Sequence, residues 1–239
     1  MNSDSQIPIS TQQLANMSST GPTEGLLYVA ARIKSPPLVS PEVFRKWYDE
    51  VHIPDLCNAK DGLTIALRYK HTSPKAHIGA EANDDVPWPF LTIYKLHDIH
   101  WLTTDGFLNV RHDSELLPAE AGHNAFGCFD AQLRSYKLIA RSPEQPGTDR
   151  PKFVLTFETP APNPEKFGMM TKVYGALPGY RGSILYEIVP GLLEHEQKDV
   201  ANMGYVVTWF DEMPKLDGPK HDAQIWELVH CDGKKDATF

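Results

Sequence analysis

The chain passes through the same order of elements twice, and this repetition restricts its fold more than any other feature. In the first pass "LLYVAARI" (26–33), "LTIALRYKH" (63–71), "PFLTIYKL" (89–96) and "FDAQLRSYKLI" (129–139) read as strands. Helical patterns lie between them, one starting at Pro41 and one over 97–110 that Gly106 interrupts. In the second pass "KFVLTFET" (152–159), "GSILYEIV" (182–189), "GYVVTWF" (204–210) and "HDAQIWELVH" (221–230) read as strands, and 163–177 as a capped helix. The closing strands of both passes carry Asp-Ala-Gln, at 130–132 and 222–224, followed by alternating apolar residues. Two β-α-β-β-α-β units predict an α+β fold: two fused ferredoxin-like halves that bury their sheet faces together as an antiparallel α+β barrel, helices outside.

The two passes are unequal. From Tyr94 to Asp130 the first uses 36 residues, whereas Trp209 to Asp222 uses 13, so the second has lost most of its second helix. The extra length in the first pass includes "NVRHDSELLPAEAGHNAFG" (109–127), a loop-like stretch rich in His and acids, of the kind that forms binding loops. The expected organisation is a flexible N-terminal tail (1–25), a first half (26–139) carrying the candidate site, a Pro-rich linker (140–151), a degenerate second half (152–231) and a C-terminal tail (232–239).

Charge and composition narrow the partners. A formal net charge of -8 without any Lys- or Arg-rich stretch argues against nucleic acid or an anionic membrane. Cys57, Cys128 and Cys231 are odd in number and far apart, which suits a reducing compartment. No run approaches the ~18 apolar residues of a membrane-spanning helix. The first 25 residues contain no Lys or Arg, unlike a secretory or mitochondrial signal, so a cytoplasmic protein is expected. Unpaired edges of two half-barrels would favour further association, and a homodimer is expected on that ground.

The chemistry concentrates in "WYDEVHIPDL" (47–56). Ser40 before Pro41 is a good N-cap, and Val43, Phe44, Trp47, Tyr48 and Val51 form one apolar helix face. The helix is expected to stop near Ile53, because a residue before proline is biased away from helical angles. Phe44, Tyr48 and His52 are spaced i, i+4, i+8 and share a face, which leaves His52 at the helix end with Asp49 or Asp55 to orient it. Carbonyls at a helix C-terminus favour the cationic ring, and a nearby carboxylate keeps its titration close to neutrality, as acid–base catalysis requires. A histidine there can equally serve only the helix dipole. The second pass gives a comparison: with Phe167 set against Phe44, Thr171 falls opposite Tyr48 and Gly175 opposite His52. A helix survives in that pass without the histidine.

The residues Phe44, Trp47, Tyr48, His52 and Pro54, following a strand and a Ser-Pro helix start, resemble the EthD-like branch of the dimeric α+β-barrel superfamily. The second half matches by strand order and the Asp-Ala-Gln echo, as in tandem pseudo-dimers of fungal secondary metabolism. The resemblance implies an apolar pocket under the first helix that takes a small apolar or aromatic substrate. It carries over His52 as the acid–base residue, with Tyr48 a weaker candidate. Trp47, Phe44, Trp88, Phe90, Tyr94 and Phe129 are candidates for the pocket wall or plain core. His123, in the long loop, is a second candidate for proton transfer.

Other chemistries find little support. His97 and His100, with His112 or His123, lack the spacing of a known metal motif, so no metal is expected. Haem enzymes share the superfamily fold, but no axial ligand is identifiable, and no phosphate-cradling glycine motif or nucleophile elbow occurs. No cofactor is therefore expected. The reading that follows is a cofactor-independent lyase or isomerase of secondary metabolism, performing cyclisation, decarboxylation or rearrangement of a polyketide-, aromatic- or terpenoid-type metabolite. The alternatives are a cofactor-free monooxygenase and a non-catalytic small-molecule-binding or accessory protein.

Overall fold

Eight strands close into one antiparallel barrel. A computed structural model describes residues 21–59, 63–73, 88–146, 150–193, 202–216 and 223–233. The strands are β1 (Gly25–Ile33), β2 (Leu63–His71), β3 (Phe90–Leu96), β4 (Phe129–Arg141), β5 (Phe153–Pro160), β6 (Tyr180–Ile188), β7 (Met203–Phe210) and β8 (Gln224–Gly233). Around the barrel they run β1-β3-β2-β8-β5-β7-β6-β4. Within each half the spatial order is fourth, first, third, second strand, the ferredoxin-like order. The two junctions, β2 with β8 and β4 with β6, are equivalent. Closure leaves no free strand edge in the barrel, so the edge-based reason for a homodimer disappears.

β1 shows why its sequence is almost continuously apolar: both of its faces are covered. Leu26, Tyr28 and Ala30 belong to the barrel lumen, packed with Ile65, Tyr69, Trp209 and Trp226. Leu27, Val29, Ala31 and Ile33 face outward under the helices of the first half. Burying each Leu or Ile contributes about 1.5–3 kcal/mol, so a strand sandwiched in this way anchors both layers. Gly25 is fixed by close approach, because a Cβ there would lie 2.0 Å from the Tyr136 carbonyl oxygen.

The first helical region departs from expectation. α1 (Pro41–Trp47) begins as predicted, with Ser40 Oγ accepting from the Val43 amide. The helix then does not stop near Ile53. Tyr48–His52 forms one π-turn, and α2 continues over Ile53–Asn58. Pro54 falls at the start of α2, where a missing N–H is tolerated, and the widened turn absorbs its ring. His52 is therefore internal to a helical run, not its C-terminus, and Gly175, the last residue of the second half's helix, is no longer its structural counterpart.

The other expected helix of the first half, over 97–110, is also replaced. Ile99–Thr103 is a 3₁₀ turn capped by Asp98, and only Asp105–Leu108 (α3) is helical. A second one-turn helix, α4 (Ala125–Cys128), precedes β4. In the second half α5 (Pro164–Gly175) starts from the Asn163 side chain, which accepts from the Lys166 amide, and Phe167 docks on Leu185 and Val206. Among the described residues 211–216 no helix precedes β8, in keeping with the short second pass. The tails before residue 21 and after 233, and Asp222 of the repeated tripeptide, lie outside the described residues.

Candidate active site

A pocket lies between the outer face of the first sheet, the helical run and the 105–128 segment, with a cavity volume of about 80 Å³. β1 supplies Leu27, Val29 and Ala31; β4 supplies Phe129, Ala131 and Leu133; Tyr94 comes from β3. Trp47, Tyr48, His52 and Leu56 form the helical side. Phe107, Val110, His112 and Phe126 close the third side.

The π-turn sets the central contact. Five residues along a regular α-helix point about 140° apart, yet the Trp47 and His52 rings stack at 4.7 Å with an interplanar angle of 15°. Tyr48 meets His52 edge-on at 5.4 Å. Trp47 Nε1 and His52 Nδ1 are both buried and meet no hydrogen-bond partner among the described residues. Two polar nitrogens thus sit unsatisfied on adjacent stacked rings beside one cavity, a costly arrangement unless a ligand completes it.

His52 is neutral in this setting. It keeps some accessible surface, but burial is the largest influence on its ring and takes its pKa down to about 3; neighbouring His112 adds to the effect, and a hydrogen bond with the Arg111 backbone opposes it. Nδ1 meets no partner among the described residues, so on the neutral ring it is open to a ligand that donates to it or accepts from it. The expected near-neutral titration is corrected accordingly. The expected carboxylate partners are corrected too. Asp49 binds Arg68 through two contacts of 2.8 Å, and Asp55 binds Arg111 at 3.1 Å.

Burial also pushes the Tyr48 hydroxyl up to about 12, against the opposing influence of Thr92, Arg68 and Tyr94. Tyr94 is raised further by its own burial and by Tyr48. Both phenols remain protonated donors near neutrality.

Of the residues singled out from sequence, His52, Tyr48, Trp47, Tyr94 and Phe129 come together here. Phe44 and Phe90 stack on each other at 4.5 Å in the core and do not line the pocket. Trp88 lies elsewhere, at one end of the barrel, beneath the Arg32 guanidinium at 5.1 Å. His123 is outside the pocket as well. It adopts a left-handed backbone (φ 55°) and its Nδ1 contacts the Leu117 carbonyl at 2.7 Å, so it shapes the turn that presents its neighbours.

His112 occupies the place that His123 was expected to take. Its ring centroid is 5.6 Å from that of His52 and 4.8 Å from Phe126. The Ala125 amide donates to its carbonyl, and the Asp113–Asn124 bridge fastens the same segment. Burial lowers the His112 pKa, against a raising influence of Asp113. His97 and His100 are exposed, and no group of three metal-ligating side chains forms among the described residues.

Comparison with known proteins adds a family. Core atranone cluster (CAC) protein 1 of Stachybotrys chlorohalonatus (strain IBT 40285) is 30% identical over 226 residues, covering 86% of this chain and 90% of that protein. The chain belongs to the family of that protein. No family model matches it. Among solved structures, an anthrone oxidase-like protein is similar with a TM-score of 0.49 and 10% identity, covering 90% of this chain and 96% of that one. No helix of the described residues is long and apolar enough to cross a membrane.

Proposed function

We propose that this protein is a cofactor-independent lyase or isomerase of secondary metabolism. It acts on a small enolisable carbonyl or phenolic compound of polyketide, aromatic or terpenoid type. One observation carries the proposal: two orphan nitrogens, His52 Nδ1 and Trp47 Nε1, on stacked rings at an apolar pocket, of which Nδ1 is read as the acceptor and Nε1–H as the donor. The kinship with a core atranone cluster protein supports a place in a biosynthetic gene cluster. The EthD-like and tandem pseudo-dimer character rests on the motif residues and on the matching strand order of the halves.

In this reading His52 Nδ1 removes a proton from carbon next to a carbonyl, and the enolate formed beside the ring offsets the burial that otherwise disfavours the imidazolium. The electron pair moves onto the carbonyl oxygen, where the Trp47 N–H accommodates the developing charge. The imidazolium returns its proton to a second carbon for isomerisation, or the enolate carbon attacks a second carbonyl for cyclisation. His112, its ring centroid 5.6 Å from that of His52 in the same pocket, is assigned the proton passed to the product oxygen. Atoms balance without an oxidant. The small cavity suits a compact reacting group.

The test is deletion of the gene in its source organism, then incubation of the accumulating compounds with purified protein. Wild type is expected to convert one of them. His52→Gln is expected to lose at least about a hundredfold in rate, and Trp47→Phe, which keeps the ring and loses the donor, about ten- to a hundredfold. Full turnover by His52→Gln would remove its role. Binding without conversion would favour the accessory-protein reading, and oxygen uptake matching product would favour the monooxygenase.

A further inference from the structure

The Asp-Ala-Gln repeat has no part in the pocket under the helices beyond Ala131. Alternation along β4 turns Gln132 to the opposite face, into the barrel. Its repeat partner Gln224 lines the same space from the other half of the barrel. The registers are equivalent: Gln132 lies opposite Ala30 of β1, and Gln224 opposite Thr156 of β5. Two glutamines related by the internal repeat thus flank a single cavity of about 490 Å³ at one end of the lumen.

The rest of the lumen is packed with Ile65, Tyr69, Trp209 and Trp226, so polar residues directed into this end stand out. Tyr28, Tyr205 and Trp88 provide aromatic walls. The ionic residue among the described lining, Glu158, is bound to buried Arg134, and Arg32 above Trp88 is bound to Asp130 at 2.9 Å. Charge among the described lining residues is therefore balanced before any ligand arrives. The volume falls within the roughly 300–1,000 Å³ of small-molecule sites. The pocket at His52 does not reach that size.

We propose that this end of the barrel is a second small-molecule site, which takes a flat, uncharged aromatic compound carrying hydroxyl or carbonyl groups. The aromatic walls hold the ring, and the Gln132 and Gln224 amides, each both donor and acceptor, read its oxygens. The site is independent of the chemistry assigned to His52.

Calorimetric titration of the full-length protein with 2-naphthol tests this, with 2-naphthalenesulfonate as the charged counterpart. Wild type is expected to bind 2-naphthol at least tenfold more tightly than the sulfonate, since no unpaired cation lines the site among the described residues and an anion would be desolvated there. Gln224→Trp, at an exposed position on the rim, is expected to fill the cavity and remove the binding event that persists in His52→Gln. The pair Gln132→Leu/Gln224→Leu keeps the volume, removes both amides, and is expected to weaken binding about tenfold. His52→Gln is expected to bind as wild type does. The proposal is overturned by absence of binding up to the solubility limit, by equal or tighter binding of the sulfonate, or by binding that survives the glutamine variants and is lost in His52→Gln. If Gln224→Trp does not fold, the leucine pair decides.

Discussion

A buried neutral imidazole works differently from a cationic histidine at a helix end. With its pKa near 3, His52 is already the free base throughout the physiological range. The pH–rate profile is therefore expected to be flat from about pH 5 to 8, without an inflection at the ordinary histidine value near 6.5. The same shift affects stability. The folded pKa lies below the unfolded one, so the unfolded chain binds more protons between them. Stability is fully present above about pH 6.5 and is lost as pH falls toward 3. Urea unfolding should show a midpoint that drops between pH 7 and pH 4.5 in wild type, and drops less in His52→Gln. Equal drops in both would show that the ring is not desolvated as described. A second expectation concerns Asp49, whose role was misplaced from sequence. It neutralises Arg68, whose side chain is 4% exposed, and stands 3.7 Å from His230 Nδ1. Asp49→Asn leaves that guanidinium buried without its carboxylate and should cost about 3–5 kcal/mol in denaturant unfolding. Adding Arg68→Met should recover much of the loss, because the double change removes the orphan charge instead of creating it.

Among elements, the strands were legible and the helical detail was not. β2 spans the residues over which its sequence reads as a strand, and the Ser40 and Asn163 caps act where their side chains imply. Capping and period-2 alternation are local, so a single sequence contains them. The π-turn is a tertiary compromise: Pro54 forbids a normal α-helical bond, while Ile53 and Leu56 gain burial in the core only if the helix continues. A rule about the residue before proline could not weigh that gain. His112 was hidden for a related reason, since its segment has no periodicity, and only its unusual length in the first pass marked it. Removing the cause of the π-turn tests its purpose. Pro54→Ala restores an N–H and permits a regular helix, which would part the Trp47 and His52 rings. Thermal stability is expected to stay within about 1 kcal/mol of wild type or to rise. The near-UV circular dichroism from the stacked indole should change, and turnover should fall with it. An unchanged spectrum with full turnover would mean that packing alone holds the π-turn.

For the whole molecule, the repeat made the barrel legible before any contact was known, because two four-stranded sheets with apolar faces and open edges have one economical way to cover both. What the repeat did not disclose was the division of labour. The outer face of the first half carries the His52 pocket, the matching face of the second is filled by Phe167, and the shared lumen holds the polar end. Closure depends on both junctions, β2 with β8 and β4 with β6. It also depends on lumen residues that neither half can cover alone, such as Trp226, fully buried and bonded through Nε1 to Thr156 at 2.9 Å. A chain ending at residue 146 would expose the edges of β2 and β4 and a lumen face containing Leu26, Tyr28, Ile65, Leu67 and Tyr69. That surface is too apolar to stay open in water, and its two edges are the counterparts of those the second half presents. The fragment is therefore expected to self-associate, measured by light scattering, into dimers or larger species. Co-expression with residues 147–239 should convert it to a one-to-one complex with a single cooperative melt. A monodisperse, monomeric first half would show that the barrel does not need its second sheet to hold the first together.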